Sequence, residues 1–542
     1  MIIRSNKAAL WKGALIPLVY FILTFFIAQH HTLFEEWDGA MQYLAGVEIF
    51  EGKGYRGMSS HFWPPLFTLL TGIFTWVFQD GFVAAKFISV LSSSVLLLVV
   101  YRFVRNFTGG EVSAFLAQLL IAVNPTYFLY SIQAQNAMLD TLFYVSAICF
   151  FFEALQSSSY KYLFITGIIA GLAGLTRYTS YALLPAFAIL LFFYYRPRTG
   201  GLNVLTLLLG FAIVSLPWWI INTLNNGSPL NTWHYLNVGY GLSFRSAPIS
   251  PKWWWHDQTA YHSAWQIIRE SPLNYGKHFL YNVMQVFSIL TIKTLLSFIG
   301  CIILFFVQFF YIGKNKSSAA GNKFFLVMVT CLILYTGLIS QAFIMDRLLL
   351  SWYVITGIAV VVSLYIISIS SPEWIKIKPV ITVGLLCFLL VNVIVAARKM
   401  DIYLNDNNDS GQLADIKKIA QLLKVQDPDL SQKTVMAIHP AVAYYLRSQF
   451  VFTPLYYESN NINDWIAYRY FDQKIINYVP RFPGDLNIKK SPVNYLIFDQ
   501  VSSKYLPQFS FLLDEHTNKL PANFERLLLT KDVALYRIRN YK

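Results

Sequence analysis

The sequence predicts a polytopic α-helical membrane protein of about eleven transmembrane helices, with interfacial helices in its first outer loop and a small α/β domain at its C-terminal end. Three observations predict it. Of 542 residues, 56% are hydrophobic and 13% charged, with a mean hydropathy of +0.47, whereas soluble domains average about 25% charged. Apolar runs of roughly 17–25 residues, long enough to cross about 30 Å of hydrocarbon, recur through the first part of the chain. Beyond about residue 401 the runs shorten and charge density rises. The net charge of +14 does not signal nucleic acid. Its Lys and Arg cluster in short loops between apolar runs, as the positive-inside rule expects.

Arg4, Lys7 and Lys12 precede the first apolar run, which orients the N-terminus to the cytoplasm and reads as a retained span, not a cleaved signal. The run at 64–79 begins with Pro64-Pro65, which suits an interfacial segment. Leaving it at the interface lets 82–104 run inward, so Arg102 and Arg105 become cytoplasmic. Further spans fall near 111–129, 137–155, 161–176, 180–195, 202–222, 287–312, 324–342, 348–369 and 379–397. Lys161, Arg196, Arg198, Lys314, Lys316, Lys323, Lys376 and Lys378 are then all inside. The odd count puts the C-terminal part outside. This divides the chain into a transmembrane domain, 1–400, and an extracytoplasmic α/β domain, 401–542. In the latter, DIKKIAQLLKV has helical spacing, with Ile416, Ile419, Leu422 and Leu423 on one side. TVMAIHP, VNYLIFDQ and VALYRIR read as buried strands.

The unusual polar residues gather on one side of the membrane in this arrangement. Asp38 lies in the first outer loop, Asp140 opens a span, Arg177 sits in the turn GLTRYTS and Arg347 opens another span in MDRLLL. Outer arginines suit a lipid-linked phosphate, whose oxygens a guanidinium binds bidentately. A carboxylate nearby can take a proton from an attacking hydroxyl. There is no nucleotide fingerprint, neither GxGxxG nor a P-loop. The cysteines, Cys149, Cys301, Cys331 and Cys387, all lie in apolar runs, away from any loop where a disulfide or metal site would form.

The stretches WDGAMQYLAGVEIFEGKGY, FWPPLF, Asn-Pro followed by Asp140, GLAGLTRYTSYALLPA and MDRLLL occur in that order. Together they resemble the polyprenyl-phosphate-sugar-dependent glycosyltransferases of the GT-C fold, in the branch of protein O-mannosyltransferases and lipid A aminoarabinose transferases. The resemblance covers roughly the first 370 residues. It implies a GT-C-like fold and transfer of a sugar from a polyprenyl-phosphate donor to a hydroxyl acceptor (lipid, glycan or protein) at the outer face of the plasma membrane. It matches Asp38 to the catalytic base, Asp140 to the acid that orients the acceptor or supports the first, and Arg347 to the arginine on the donor phosphate. Arg177 matches an arginine that is structural or close to the phosphate. Two departures bear on the acceptor: Asp38 is followed by Gly39 where protein mannosyltransferases carry Asp-Glu, and their His-Pro-Pro becomes His61-Phe62-Trp63-Pro64-Pro65.

Lys53, in a Gly-Lys-Gly turn, joins the arginines as a phosphate-binding candidate. Tyr43, His61, Trp255 and His256 are substrate-site candidates. His61 also suits loop packing, and the Trp253–Trp255 cluster suits an interfacial anchor. No cofactor is expected to be required; a divalent ion is compatible with a single carboxylate but no set of ligands indicates one. The rival functions are a lipid-linked sugar transporter or flippase, and an oligosaccharide polymerase. Transporters typically show internal repeats and ionisable residues at mid-membrane; this chain shows neither pattern.

Overall fold

The computed structural model describes residues 11–31, 33, 36–52, 54–55, 62–229, 234–246, 263–293, 316–370, 374–405, 412–446, 449–452, 460–467 and 493–539. Its first helices are α1 (Leu15–His30), α2 (Trp37–Phe50), α3 (Pro65–Phe78), α4 (Gly81–Thr108), α5 (Glu111–Ala122) and α6 (Pro125–Ile132). Then come α7 (Ala137–Ser157), α8 (Tyr160–Thr176), α9 (Leu183–Tyr194), α10 (Pro197–Asn226), α11 (His234–Ser246) and α12 (Ala264–Glu270). The remaining long helices are α13 (Pro272–Lys293), α14 (Lys316–Ile339), α15 (Leu350–Ser370), α16 (Trp374–Asn405) and α17 (Gln412–Gln426). The C-terminal part continues with β1 (Thr434–Ala437), α18 (Ala441–Leu446), β2 (Gln449–Phe452), α19 (Ile462–Ala467), β3 (Val493–Asp499), α20 (Gln500–Tyr505), β4 (Phe524–Leu529) and β5 (Val533–Ile538).

Among the described residues, seven helices are long and apolar enough to cross a membrane, and α5 with α6 makes an eighth if the bent pair counts as one span. These eight coincide with eight of the eleven expected spans. The expected spans at 161–176 and 180–195 are apolar helices too short for that test, and most of 287–312 lies outside the described residues. The run at 111–129 is not one straight span but bends by 68°. Asn124 causes the break: its Oδ1 accepts from the N–H groups of Thr126 and Tyr127, both at 3.0 Å, and Pro125 starts the new helix. Helix α3 has 14 residues, about 21 Å of rise, well short of a membrane crossing.

The chain forms two compact units, residues 1–29, 86–229 and 277–401 in one and 30–85, 230–276 and 402–542 in the other. The first is a helical bundle whose core runs through α4, α5, α7, α8, α9, α14 and α15. Helix α8 crosses α10 at close range. A Cβ on Gly167 would lie 2.0 Å from the Leu207 carbonyl oxygen, and one on Gly210 would lie 2.1 Å from that of Phe164. Only glycine permits this approach, the small-residue contact by which helices associate in lipid.

In the second unit α2 packs on α3, and a five-stranded sheet is ordered β2-β1-β3-β5-β4. Strands β2, β1 and β3 are parallel; β5 and β4 add antiparallel. Strand β3 is buried at all but one position, as a central strand covered on both faces must be. Trp465 of α19, with Phe509 and Leu512, covers the face that carries Leu496 and Phe498. The three expected strands are β1, β3 and β5, and the expected helix is α17, with Ile416, Ile419 and Leu423 buried. Strands β2 and β4 add to them.

Candidate active site

In the bundle, the candidate residues meet where α6 turns into α7. Asp140 stands in the first turn of α7, 3% exposed, where a carboxylate is favoured by the helix dipole. Its Oδ1 accepts from Ser180 Oγ at 2.6 Å, a short bond of the kind made to a charged oxygen. Ser180 lies in the 3-10 turn Tyr178–Ala182 that follows Arg177. Arg177 leaves α8 in extended conformation, φ −153°. It donates from Nη2 to Asn136 Oδ1 at 3.0 Å and from Nη1 to the Arg347 carbonyl at 3.3 Å. Asn136 in turn donates to the Thr176 carbonyl at 3.3 Å. The Arg347 Nη1 reaches Gln135 Oε1 at a long 3.5 Å, and Ser89 donates to the Gln135 carbonyl at 3.0 Å. Asp140, Arg177 and Arg347 therefore belong to one hydrogen-bonded neighbourhood, tied by the turn 133–136.

That neighbourhood holds more charge than expected. Asp346, next to Arg347, pairs with Lys293 at 3.0 Å, both half-buried. Lys399 lies within electrostatic reach of Lys293 and Asp346, and Tyr130 within reach of Asp346, Arg347 and Arg177. Through these pairs four cations, Arg177, Arg347, Lys293 and Lys399, and two carboxylates, Asp140 and Asp346, form one linked set. Such an excess suits an anionic ligand with two or more oxygens. Asn136, Gln135 and Ser180 carry no charge signal in the sequence. Lys293 did offer one, since it stands inside an expected span, where a lysine is costly.

The second unit carries Asp38, half-exposed in the first turn of α2. Its neighbour Trp37 donates to the Ile438 carbonyl at 3.5 Å. Tyr43 meets Tyr444 edge-on, ring centroids 5.7 Å apart. Glu36 accepts from Tyr403 Oη at 3.3 Å, and His31 stacks on Tyr403 at 4.1 Å. Lys53, His61, Trp255 and His256 lie outside the described residues. Among the described residues no three His, Cys, Asp or Glu side chains gather as a metal site.

Residues 63–221 match the family described as dolichyl-phosphate-mannose-protein mannosyltransferase. That stretch includes Asp140 and Arg177 but neither Asp38 nor Arg347. The crystal structure of ArnT from Cupriavidus metallidurans in the apo state superposes with a TM-score of 0.57 at 12% identity, covering 98% of each chain. The same protein bound to undecaprenyl phosphate superposes at 0.53 and 11% identity, covering 96% of this chain and 97% of that one. No curated protein matches by sequence. The chain is a multi-pass α-helical membrane protein. Its fold is the GT-C fold.

Proposed function

We propose that this protein is a membrane glycosyltransferase that moves a sugar from a polyprenyl-phosphate donor to a hydroxyl acceptor. The observation that carries the reading is the cation-rich network around Asp140, Arg177 and Arg347, in a chain with the fold of a protein seen with undecaprenyl phosphate. In the proposed step the acceptor oxygen bonds to the anomeric carbon as the bond from that carbon to the phosphate oxygen breaks. The acceptor proton passes to Asp38 as general base. The bonding pair leaves with the lipid phosphate, and Arg177 and Arg347, with Lys293 and Lys399, offset its growing charge. Asp140 holds the turn that presents Arg177. Charge stabilisation by these side chains needs no resident metal. Lys53, Tyr43, His61, Trp255 and His256 are proposed to contact donor or acceptor.

The test uses membranes containing wild type or Asp38→Asn, supplied with labelled polyprenyl-phosphate sugars. Transfer into the lipid, glycan or protein fraction is expected with wild type and about 10²–10⁴-fold slower with the variant. Equal transfer by both sinks the base assignment, and passage of intact donor across the bilayer would instead make the protein a transporter. The proposed location is the plasma membrane, with the N-terminus cytoplasmic and the C-terminal sheet outside. A cysteine replacing the exposed Lys519 should therefore react with an impermeant maleimide in intact cells; protection until lysis would invert the orientation.

A further inference from the structure

The residues around Asp38 show what fixes α2. Trp37, immediately before Asp38, donates to the carbonyl of Ile438, 401 positions later in the chain. Tyr43, five residues after Asp38, sets its ring against Tyr444. Tyr444 Oη donates to Asp80 Oδ2 at 2.8 Å. Asp80 Oδ1 accepts from the N–H groups of Phe82 and Val83 at 2.8 and 2.9 Å, so the same carboxylate caps the start of α4. The Tyr444 ring also meets Phe82 at 6.1 Å. The fit is tight on the remaining side, because a Cβ on Gly81 would come within 1.9 Å of the Tyr43 ring.

Ile438 and Tyr444 belong to a single short segment, the exit of β1 and the helix α18 that follows. Strand β1 lies between β2 and β3 and pairs with both, and Val435, Met436 and Ala437 are fully buried. The segment is thus anchored in the middle of the sheet and touches α2 on either side of Asp38. Burial, with the Asp80 charge beside it, pushes the Tyr444 hydroxyl well above the usual tyrosine range. It therefore remains a donor at any ordinary assay pH.

We propose that the β1–α18 segment, through Tyr444 and the Ile438 carbonyl, is the positioning element for Asp38, so that the C-terminal sheet serves the chemistry of a loop at the other end of the chain. The proposal rests on the reading of Asp38 as the general base. Tyr444 and Trp37 are positioning residues: each acts on the orientation of α2, which a misplacement of about 1 Å would turn into a 10²-fold loss of rate.

The test compares full-length wild type, Tyr444→Phe and Trp37→Phe in lipid nanodiscs. Both substitutions keep an aromatic ring and remove one hydrogen-bond donor. Hydrogen exchange over residues 37–50 is read alongside kcat and the donor KM. Expected are faster exchange confined to α2 and the start of α4, kcat about 10–100-fold lower, and a donor KM changed by less than about two-fold. Unchanged exchange in α2 in both variants overturns the proposal whatever the activity, as does a uniform rise over the whole chain, which marks a merely structural role. Faster exchange with unchanged kcat also overturns it. Asp38→Asn, assayed separately, then tells whether the base reading stands without it.

Discussion

The two units hold their candidate residues by opposite means. In the bundle, Asp140, Arg177 and Arg347 are fixed by hydrogen bonds among neighbours on adjacent helix ends, and the partners are side-chain amides, a hydroxyl and main-chain carbonyls. In the second unit, Asp38 sits on a helix held by aromatic packing against Tyr444 and by a bond from Trp37 to the Ile438 carbonyl, hundreds of residues away. The difference follows from the surroundings. Within apolar helices an unsatisfied polar group costs several kcal/mol, about 2–7 depending on reference state, so charges there are held by local hydrogen-bond partners. A half-exposed carboxylate such as Asp38 has no such requirement. As the proposed general base it would need a fixed direction, which the long-range packing around α2 would supply.

The largest effect is expected at Arg177. Arg177→Ala removes the fork that joins Asn136 to the Arg347 carbonyl, and it should lower kcat/KM by about 10²–10³-fold, the scale seen when one preorganised donor to a developing charge is lost. Arg177→Lys should rescue little, since an ammonium cannot span both acceptors in one plane. Full rescue by lysine would mean that charge alone matters and that the network is incidental. A smaller effect is expected at Ser180. Ser180→Ala deprives a buried carboxylate of its hydroxyl donor, which costs about 1.5–3 kcal/mol for a bond to a charged group. Thermal unfolding in detergent should show it as a lowered midpoint, and an unchanged midpoint would mean that water or a neighbour replaces the hydroxyl at no cost.

The same contrast explains what could be read from the sequence. Asp140, Arg177 and Arg347 were legible because a charge beside an apolar run is conspicuous. Gln135, Asn136 and Ser180 were not, because a neutral amide or hydroxyl becomes a partner only once the helix ends converge. Of the helices, α4, α7 and α15 follow from hydrophobic length alone, while the break between α5 and α6 depends on how Asn124 folds back on its own turn. Strands β1, β3 and β5 are apolar runs. Strand β4 was missed because Glu525 and Arg526 interrupt it; they answer to the facing strand, Glu525 pairing with Arg537 at 3.4 Å and Arg526 lying over Tyr536. Nothing near Trp37 or Tyr43 in sequence announces Ile438 or Tyr444. A contact spanning 401 positions is a property of the tertiary fold.

The smallest effect is expected at the other end of α7. There Glu153 accepts from Arg102 at 2.9 Å and from Asn106 at 3.3 Å, and the Arg102 guanidinium lies 4.8 Å from the Phe150 ring centroid. This too is a polar group within the bundle, but it stands thirteen residues, about 20 Å of helix, from Asp140. Arg102 is more than one-third exposed, so the pair contributes about 0.2–1 kcal/mol. Arg102→Ala should therefore shift the thermal midpoint by no more than a few degrees, ~2–4 °C, and leave kcat and donor KM within about two-fold of wild type. It serves as the matched control for Arg177→Ala: the same residue type lost from the same bundle, with the network around Asp140 intact. A large loss of turnover in Arg102→Ala would show that any disturbance of the bundle reaches the reaction. The effect of Arg177→Ala would then say nothing about phosphate binding. Near-normal turnover, beside a crippled Arg177→Ala, would confine the function to the end of the helices where Asp140, Arg177 and Arg347 meet.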